Sequence, residues 1–245
     1  MRSIIKITGK DTRSFLQGLV TNDVDKLEAG LVYAALLTPQ GKYLADFFLV
    51  PQDDGVLLDV ADFQADQLVQ RLNMYKLRSD VQVETIDLTV QQGTGPVPEG
   101  GFADPRHPEL GWRNYVPAAV TSHADYDAIR VAHCIPEAGI ELGPDTFILE
   151  AGLDRLNGVD FRKGCYVGQE VTARMKHKTT LRKGLVTVDI EGDAAPGTPI
   201  VSNGKDAGVL HTRSGDRAIA YLRLDRASPD MRAGEAVVRY SAAPE

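Results

Sequence analysis

Val159-Asp160-Phe161-Arg162-Lys163-Gly164-Cys165-Tyr166-Val167-Gly168-Gln169-Glu170 is the most unusual run in this 245-residue chain. Cys165 lies between two glycines in a predicted turn that leads into a helix from Gln169 to about Lys176. Glycine permits unusual backbone angles and close approach of a ligand to the main chain. The neighbouring charges of Arg162 and Lys163 and the positive end of a helix dipole both favour a thiolate, the reactive form of cysteine. The bland alternative is an inert core residue, because unpaired cysteine is often buried. Glu170 and Arg174 stand four apart, a spacing that suits a helix-supporting ion pair.

Upstream of this run the patterns alternate between strand and helix. Ser3 to Ile7 reads as a strand. Asp11 is placed to cap a helix with Phe15, Leu16 and Leu19 on one face. Thr21-Asn22-Asp23 is a second turn. Leu31 to Leu37 and Tyr43 to Val50 read as strands joined by a turn at Thr38-Pro39-Gln40-Gly41-Lys42. Val56 to Val60 is a strand, and a helix over about Asp62 to Leu77 carries Phe63, Leu68, Leu72 and Tyr75 near helical spacing. Val81 to Ile86 is a further strand. Strands alternating with single amphipathic helices predict an α+β fold with ferredoxin-like α/β units. Gly93 to Gly111, dense in Gly and Pro, reads as a loop. A helix is expected over about Ser122 to His133 and a brief strand at Phe147 to Leu149. Beyond Gly184 come short strands punctuated by turns at Asn203-Gly204 and Ser214-Gly215-Asp216, so residues 181–245 predict a small β-barrel.

Bulk properties narrow the function classes. The formal net charge is −7, which argues against a chain-wide nucleic-acid footprint. There are two cysteines, Cys134 and Cys165, too few for a disulfide framework and too few for the four thiolates that hold an iron–sulfur cluster. No resident metal site is expected. The longest apolar run, Leu31 to Leu37, falls far short of a membrane span. The N-terminus lacks the pattern of a secretory signal, so the expected setting is cytosolic and reducing.

The motif Lys163-Gly164-Cys165-Tyr166-Val167-Gly168-Gln169-Glu170 resembles the K-G-C-Y-x-G-Q-E hallmark of the YgfZ family and of its mitochondrial relative in iron–sulfur assembly. Phe15-Leu16-Gln17-Gly18 with Thr21-Asn22-Asp23, Leu37 to Lys42, Tyr75-Lys76-Leu77-Arg78 and Gly158-Val159-Asp160-Phe161 fit the same pattern in order. Two places depart from it: Ile148-Leu149-Glu150-Ala151-Gly152 upstream of the motif, and His177-Lys178-Thr179 after the helix. The resemblance implies the fold of the glycine-cleavage T-protein, with three modules in a ring around a folate pocket. It suggests a discontinuous folate-binding module of residues 1–50 and 112–180, a second module of residues 51–111, and the barrel. It implies tetrahydrofolate as the ligand. It also implies a role in assembling or repairing clusters in client enzymes, including radical enzymes that modify tRNA.

The same resemblance makes Cys165 the functional thiol, with Lys163 beside it to tune the sulfur or meet an anion. Asp46 is a candidate acceptor for the amino-pyrimidine edge of a pterin, a paired-donor contact of the strong kind. Arg130 resembles the arginine that holds the folate tail. Glu150 and Gln169 are further folate-binding candidates. Two other functions compete: a folate-dependent aminomethyltransferase like the T-protein, and a tRNA-binding module. The stretch Arg174 to Lys183 holds five basic residues and no acid, and predicts a docking surface for an anionic partner.

Overall fold

A strand alternates its side chains between two faces, and the N-terminal part of the chain turns this into a two-sided sheet. In the computed structural model, which describes residues 1–118, 124–178 and 181–241, β1 (Arg2–Thr8) is followed by α1 (Thr12–Gln17), β2 (Val32–Leu37), β3 (Tyr43–Gln52), β4 (Gly55–Ala61), α2 (Ala65–Tyr75) and β5 (Gln82–Ile86). The strands form one antiparallel sheet in the order β2-β3-β4-β1-β5. One face carries Ile5, Ile7, Leu36, Phe47, Leu49 and Leu58 and shares a core with Phe15 and Leu16 of α1 and Leu68 and Leu72 of α2. Burying such side chains is worth about 1.5–3 kcal/mol each. The register sets Phe48 opposite Tyr33 and Asp59, so the other face of the sheet bears aromatic and charged groups.

A second sheet in the order β6-β8-β7 consists of β6 (Thr89–Gly93), β7 (Phe102–Ala103) and β8 (Trp112–Val116). β6 and β8 flank the Gly/Pro-rich stretch expected to be a loop, and β7 within it was not legible because it is two residues long. The chain divides into two compact units, Met1–Ala124 with Leu153–Ala173, and Asp125–Gly152 with Arg174–Glu245. β3 runs through residue 50 and β1 pairs with both β4 and β5, so residues on either side of that position share one sheet.

The second unit contains α3 (Tyr126–His133). The division falls within α4 (Gln169–Lys178). β9 (Lys183–Glu191), β10 (Pro199–Ser202), β11 (Lys205–Ser214), β12 (Arg217–Arg223), β13 (Met231–Ala233) and β14 (Ala236–Arg239) close into a barrel in the order β10-β11-β12-β9-β14-β13. Closure removes the open edges that would otherwise invite pairing with other chains. Val188, Ile190, Ile200, Leu210 and Leu222 fill it. Asn203 and Gly204 both have positive φ, 50° and 73°, as a two-residue hairpin turn of the expected kind requires. α3 packs through Val131 and Cys134 on Leu185 and Ile219.

Some local expectations need correction. The Asp11 side chain does not cap α1; its carboxylate accepts from the Asp80 amide at 2.8 Å instead. Phe63 is 67% exposed, because it lies in a 3₁₀ turn before α2 and is not on the helix face. Phe147 to Leu149 is no strand; residues 148–150 form turns whose apolar side chains are buried. The expected start of the third helix at Ser122 lies outside the described residues, and α3 begins at Tyr126. No helix among the described residues is long and apolar enough to cross a membrane.

Candidate functional site

The turn Thr21-Asn22-Asp23 supports the motif loop. The Thr21 hydroxyl donates to the Gly158 carbonyl at 2.7 Å and accepts from the Ala35 amide at 2.8 Å. The Thr21 carbonyl accepts from the Asp160 amide at 3.0 Å. The Asn22 amide donates to the carbonyls of Tyr33 at 2.8 Å and Asn157 at 2.6 Å, while its oxygen accepts from Lys26 at 2.9 Å. Lys26 also pairs with Asp160 at 2.7 Å, and this contact holds the Asp160 carboxyl below its ordinary range. Asn22 is thus a buried amide whose donors and acceptor are all used, as burial demands. Gly158 packs tightly: a Cβ there would stand 3.0 Å from the Leu153 carbonyl and 3.1 Å from the Tyr33 ring, closer than ordinary contact.

Lys163 is buried at 8% exposure. Its ammonium donates to the carbonyls of Gln17 at 2.8 Å, Val20 at 2.6 Å and Asn22 at 3.0 Å. Burial pushes it down to about 8, against the pull of Asp23 and Asp160. Arg162, Gly164 and Cys165 around it are exposed. The lysine's hydrogens are therefore spent on carbonyls and not on the sulfur. Gln169 begins α4 and donates to the Gly164 carbonyl at 3.4 Å. Gly168, at φ 83°, would place a Cβ 2.6 Å from the Thr38 carbonyl, and Gly41, at φ 75°, would place one 2.8 Å from Val171. Two glycines thus let the hairpin turn at residues 38–42 lie directly against the start of α4. The site is an exposed thiol on a loop that the rest of its unit holds firmly.

Asp46 lies on β3 and is 4% exposed. Its carboxylate accepts from the hydroxyls of Tyr33 at 3.0 Å and Tyr43 at 2.5 Å, and burial raises both phenols. Gln64 donates to the Tyr43 oxygen at 3.2 Å. A network that sequence reasoning missed continues along the same face of the sheet. Asp59 accepts from Arg2 at 2.5 Å, Arg113 at 2.7 Å and Tyr115 at 3.1 Å. Asp104 accepts from Arg106 at 2.8 Å and Arg113 at 3.3 Å. The guanidiniums of Arg106 and Arg113 lie over the Phe48 ring at 4.8 Å and 4.0 Å, within cation–π range. Alternation along β3 and β4 puts Asp46, Phe48 and Asp59 on one face, the one signal that pointed there.

The remaining candidates belong to the second unit. Arg130 lies within α3 and is 5% exposed. Its guanidinium pairs with Asp127 at 2.8 Å, Glu137 at 3.0 Å and Glu141 at 2.6 Å, and donates to the Ile135 carbonyl at 3.1 Å. Glu150 accepts from the Tyr221 hydroxyl at 2.7 Å and faces Lys183 at 3.7 Å, so it fastens its turn to β9 and β12. In the basic stretch, Arg174, Lys176 and Arg182 are exposed, and Lys183 lies over the Tyr221 ring at 5.6 Å. The Lys178 side chain and residues 179–180 lie outside the described residues.

Comparison with known proteins places this arrangement. The model of the CAF17 C-terminal beta-barrel domain matches residues 182–244. An iron–sulfur cluster assembly factor IBA57 of Mus musculus, named as mitochondrial, is 32% identical over 91% of this chain and 76% of its own length. This chain belongs to the IBA57 family. A homologue of the IBA57 family from Mycosarcoma maydis is 34% identical over 76% of the chain. The chain spans about half of that relative's length, 54%. The aminomethyltransferase T of the glycine cleavage system from Bartonella henselae matches in structure with a TM-score of 0.78, over 97% of this chain and 81% of the other, at 16% identity. That likeness gives the fold: α+β, T-protein-like, with a C-terminal six-stranded barrel. The IBA57 relatives also overturn the cytosolic setting expected from the sequence, since they are named as mitochondrial proteins. A low cysteine count is shared by proteins of every reducing compartment, so it could not single out the cytosol.

Proposed function

We propose that this chain is a YgfZ-type accessory protein that binds tetrahydrofolate and supports assembly or repair of iron–sulfur clusters in client enzymes, tRNA-modifying radical enzymes among them. The observation that carries this reading is the exposed Cys165 on a loop otherwise tied down by hydrogen bonds on its inner side. A thiol that serves only packing belongs in the core, where Cys134 lies at 8% exposure. The names of the IBA57 relatives supply the cluster-assembly context. The T-protein likeness supports the fold and carries no transferase activity to this chain.

The residues around Asp46 suit a pterin. A carboxylate can accept paired hydrogen bonds from an amino-pyrimidine edge, and each Asp46 oxygen keeps a lone pair beyond its tyrosine partner. The Tyr33 and Phe48 rings stack at 5.3 Å on the same face of the sheet, with the Arg106 guanidinium over both. Tetrahydrofolate bound there would supply a one-carbon carrier. Arg130 fits the tail-binding role less well, because three carboxylates of its own unit already match its charge. Glu150 and Gln169 remain proposed contacts. Titration calorimetry with tetrahydrofolate tests this part. Heat and thermal stabilisation, both reduced in Asp46→Asn, are expected; no heat at saturating ligand overturns it.

A further inference from the structure

Three main-chain carbonyls converge where α1 ends and the next turn begins. The last carbonyls of a helix have no intrahelical partner, and Gln17 is the final residue of α1. The carbonyls of Val20 and Asn22 face the same point. An ammonium group offers three donors and no acceptor, so Lys163 matches this set one for one. Two residues further on, Cys165 is exposed. Between them Gly164 has nothing within 4 Å of where a Cβ would stand. The outer side of the loop therefore has no side-chain packing at Gly164; the Gly164 carbonyl is held by Gln169 at 3.4 Å on one side of the thiol's approach, and the inward-pointing lysine ties the loop to the turn after α1.

We propose that Lys163 is a positioning residue: its buried ammonium anchors the motif loop to the turn after α1 and so sets how Cys165 is presented to a reacting partner. The inference rests on the reading of Cys165 as the functional thiol, but its geometry is independent of any client. The charged groups that bear on the ammonium are Asp23 and Asp160, which favour the proton, and Lys26, which opposes it. The Tyr166 ring faces it at 5.2 Å. Its proton is held only to about pH 8, because burial outweighs the two carboxylates. A neutral amine has two hydrogens for three carbonyls, so the anchor weakens as pH rises through that value.

The test combines amide hydrogen exchange with thiol alkylation on the full chain. In Lys163→Met, exchange in residues 17–24 and 158–168 is expected to rise about tenfold or more, with no change in β1 to β4 or the barrel. In the native protein, the rate of Cys165 alkylation by iodoacetamide against pH is expected to depart from a single titration curve near pH 8; in Lys163→Met it follows one curve. A merely structural lysine would leave that profile unchanged. If Lys163→Met fails to fold, Lys163→Arg takes its place, with raised exchange confined to the same two segments. Unchanged exchange in the folded variant, or the same two-step profile with and without the lysine, overturns the proposal. Full function of Cys165→Ala would overturn the functional reading while leaving the anchor to stand or fall on exchange alone.

Discussion

The two cysteines differ in surroundings more than in chemistry. Cys134 follows α3 in the left-handed conformation, φ 50°, and packs with Val131 and Ile219. Cys165 is exposed beside Gly164. Iodoacetamide is expected to label Cys165 well before Cys134, as read by peptide mass mapping; the reverse order contradicts the assignment. Since Cys165 is exposed, Cys165→Ala is expected to change stability by no more than about 0.5 kcal/mol in a urea melt. Asp104 offers a pH test. Burial opposes its charge, but Arg106 and Arg113 more than offset this and hold the carboxyl down to about 2 against an ordinary 3.8. A lowered folded-state pKa means that the stabilisation is complete above the ordinary value and is lost as pH falls toward 2. Asp104→Asn is therefore expected to cost about 2 kcal/mol at neutral pH and to shrink that difference in acid melts below pH 3.8. An unchanged difference across that window counts against the account. The thiol was legible because glycine and cations surround it in sequence. The Asp59–Arg113 pair was not, because its partners are 54 residues apart and each alone reads as a solvated charge.

Among the elements, the hairpin β2–β3 and helix α4 meet through glycines that cannot be replaced cheaply. Gly168→Ala combines a strained φ of 83° with a Cβ 2.6 Å from the Thr38 carbonyl. A loss of about 1–3 kcal/mol is expected from the strain alone, visible as a lower Tm. Gly164→Ala, with open space around it, is expected to melt like the native protein. Equal melting of both variants would show that the hairpin turn does not seat α4. The strands β1 to β5 were readable because each has strong apolar periodicity and a clear turn between neighbours. The sheet of β6, β7 and β8 was not, since its strands are short and the segment joining them is dense in Gly and Pro. The motif loop from residue 158 to 168 has no period at all. Its order comes from hydrogen bonds to residues 17–22, more than a hundred positions away, and no local pattern reports such bonds.

For the whole molecule, resemblance reached further than periodicity. The α+β class and the barrel followed from patterns, but the T-protein-like fold and the cluster-assembly family rested on the eight-residue motif, and the comparisons bear both out. A ligand that binds only the folded chain must raise its stability, by about 2.7 kcal/mol at a hundred times its dissociation constant. Tetrahydrofolate at that excess is expected to raise the Tm, and less so in Asp46→Asn; no rise at all removes the folate part of the proposal. The central claim is that the chain supports iron–sulfur enzymes through Cys165. The direct measurement is the activity of a cluster-dependent enzyme in cells that lack their own factor, supplied with the native chain or with Cys165→Ala at equal folded levels. The account predicts restored activity with the native chain and none above background with the variant. Full restoration by Cys165→Ala would contradict it.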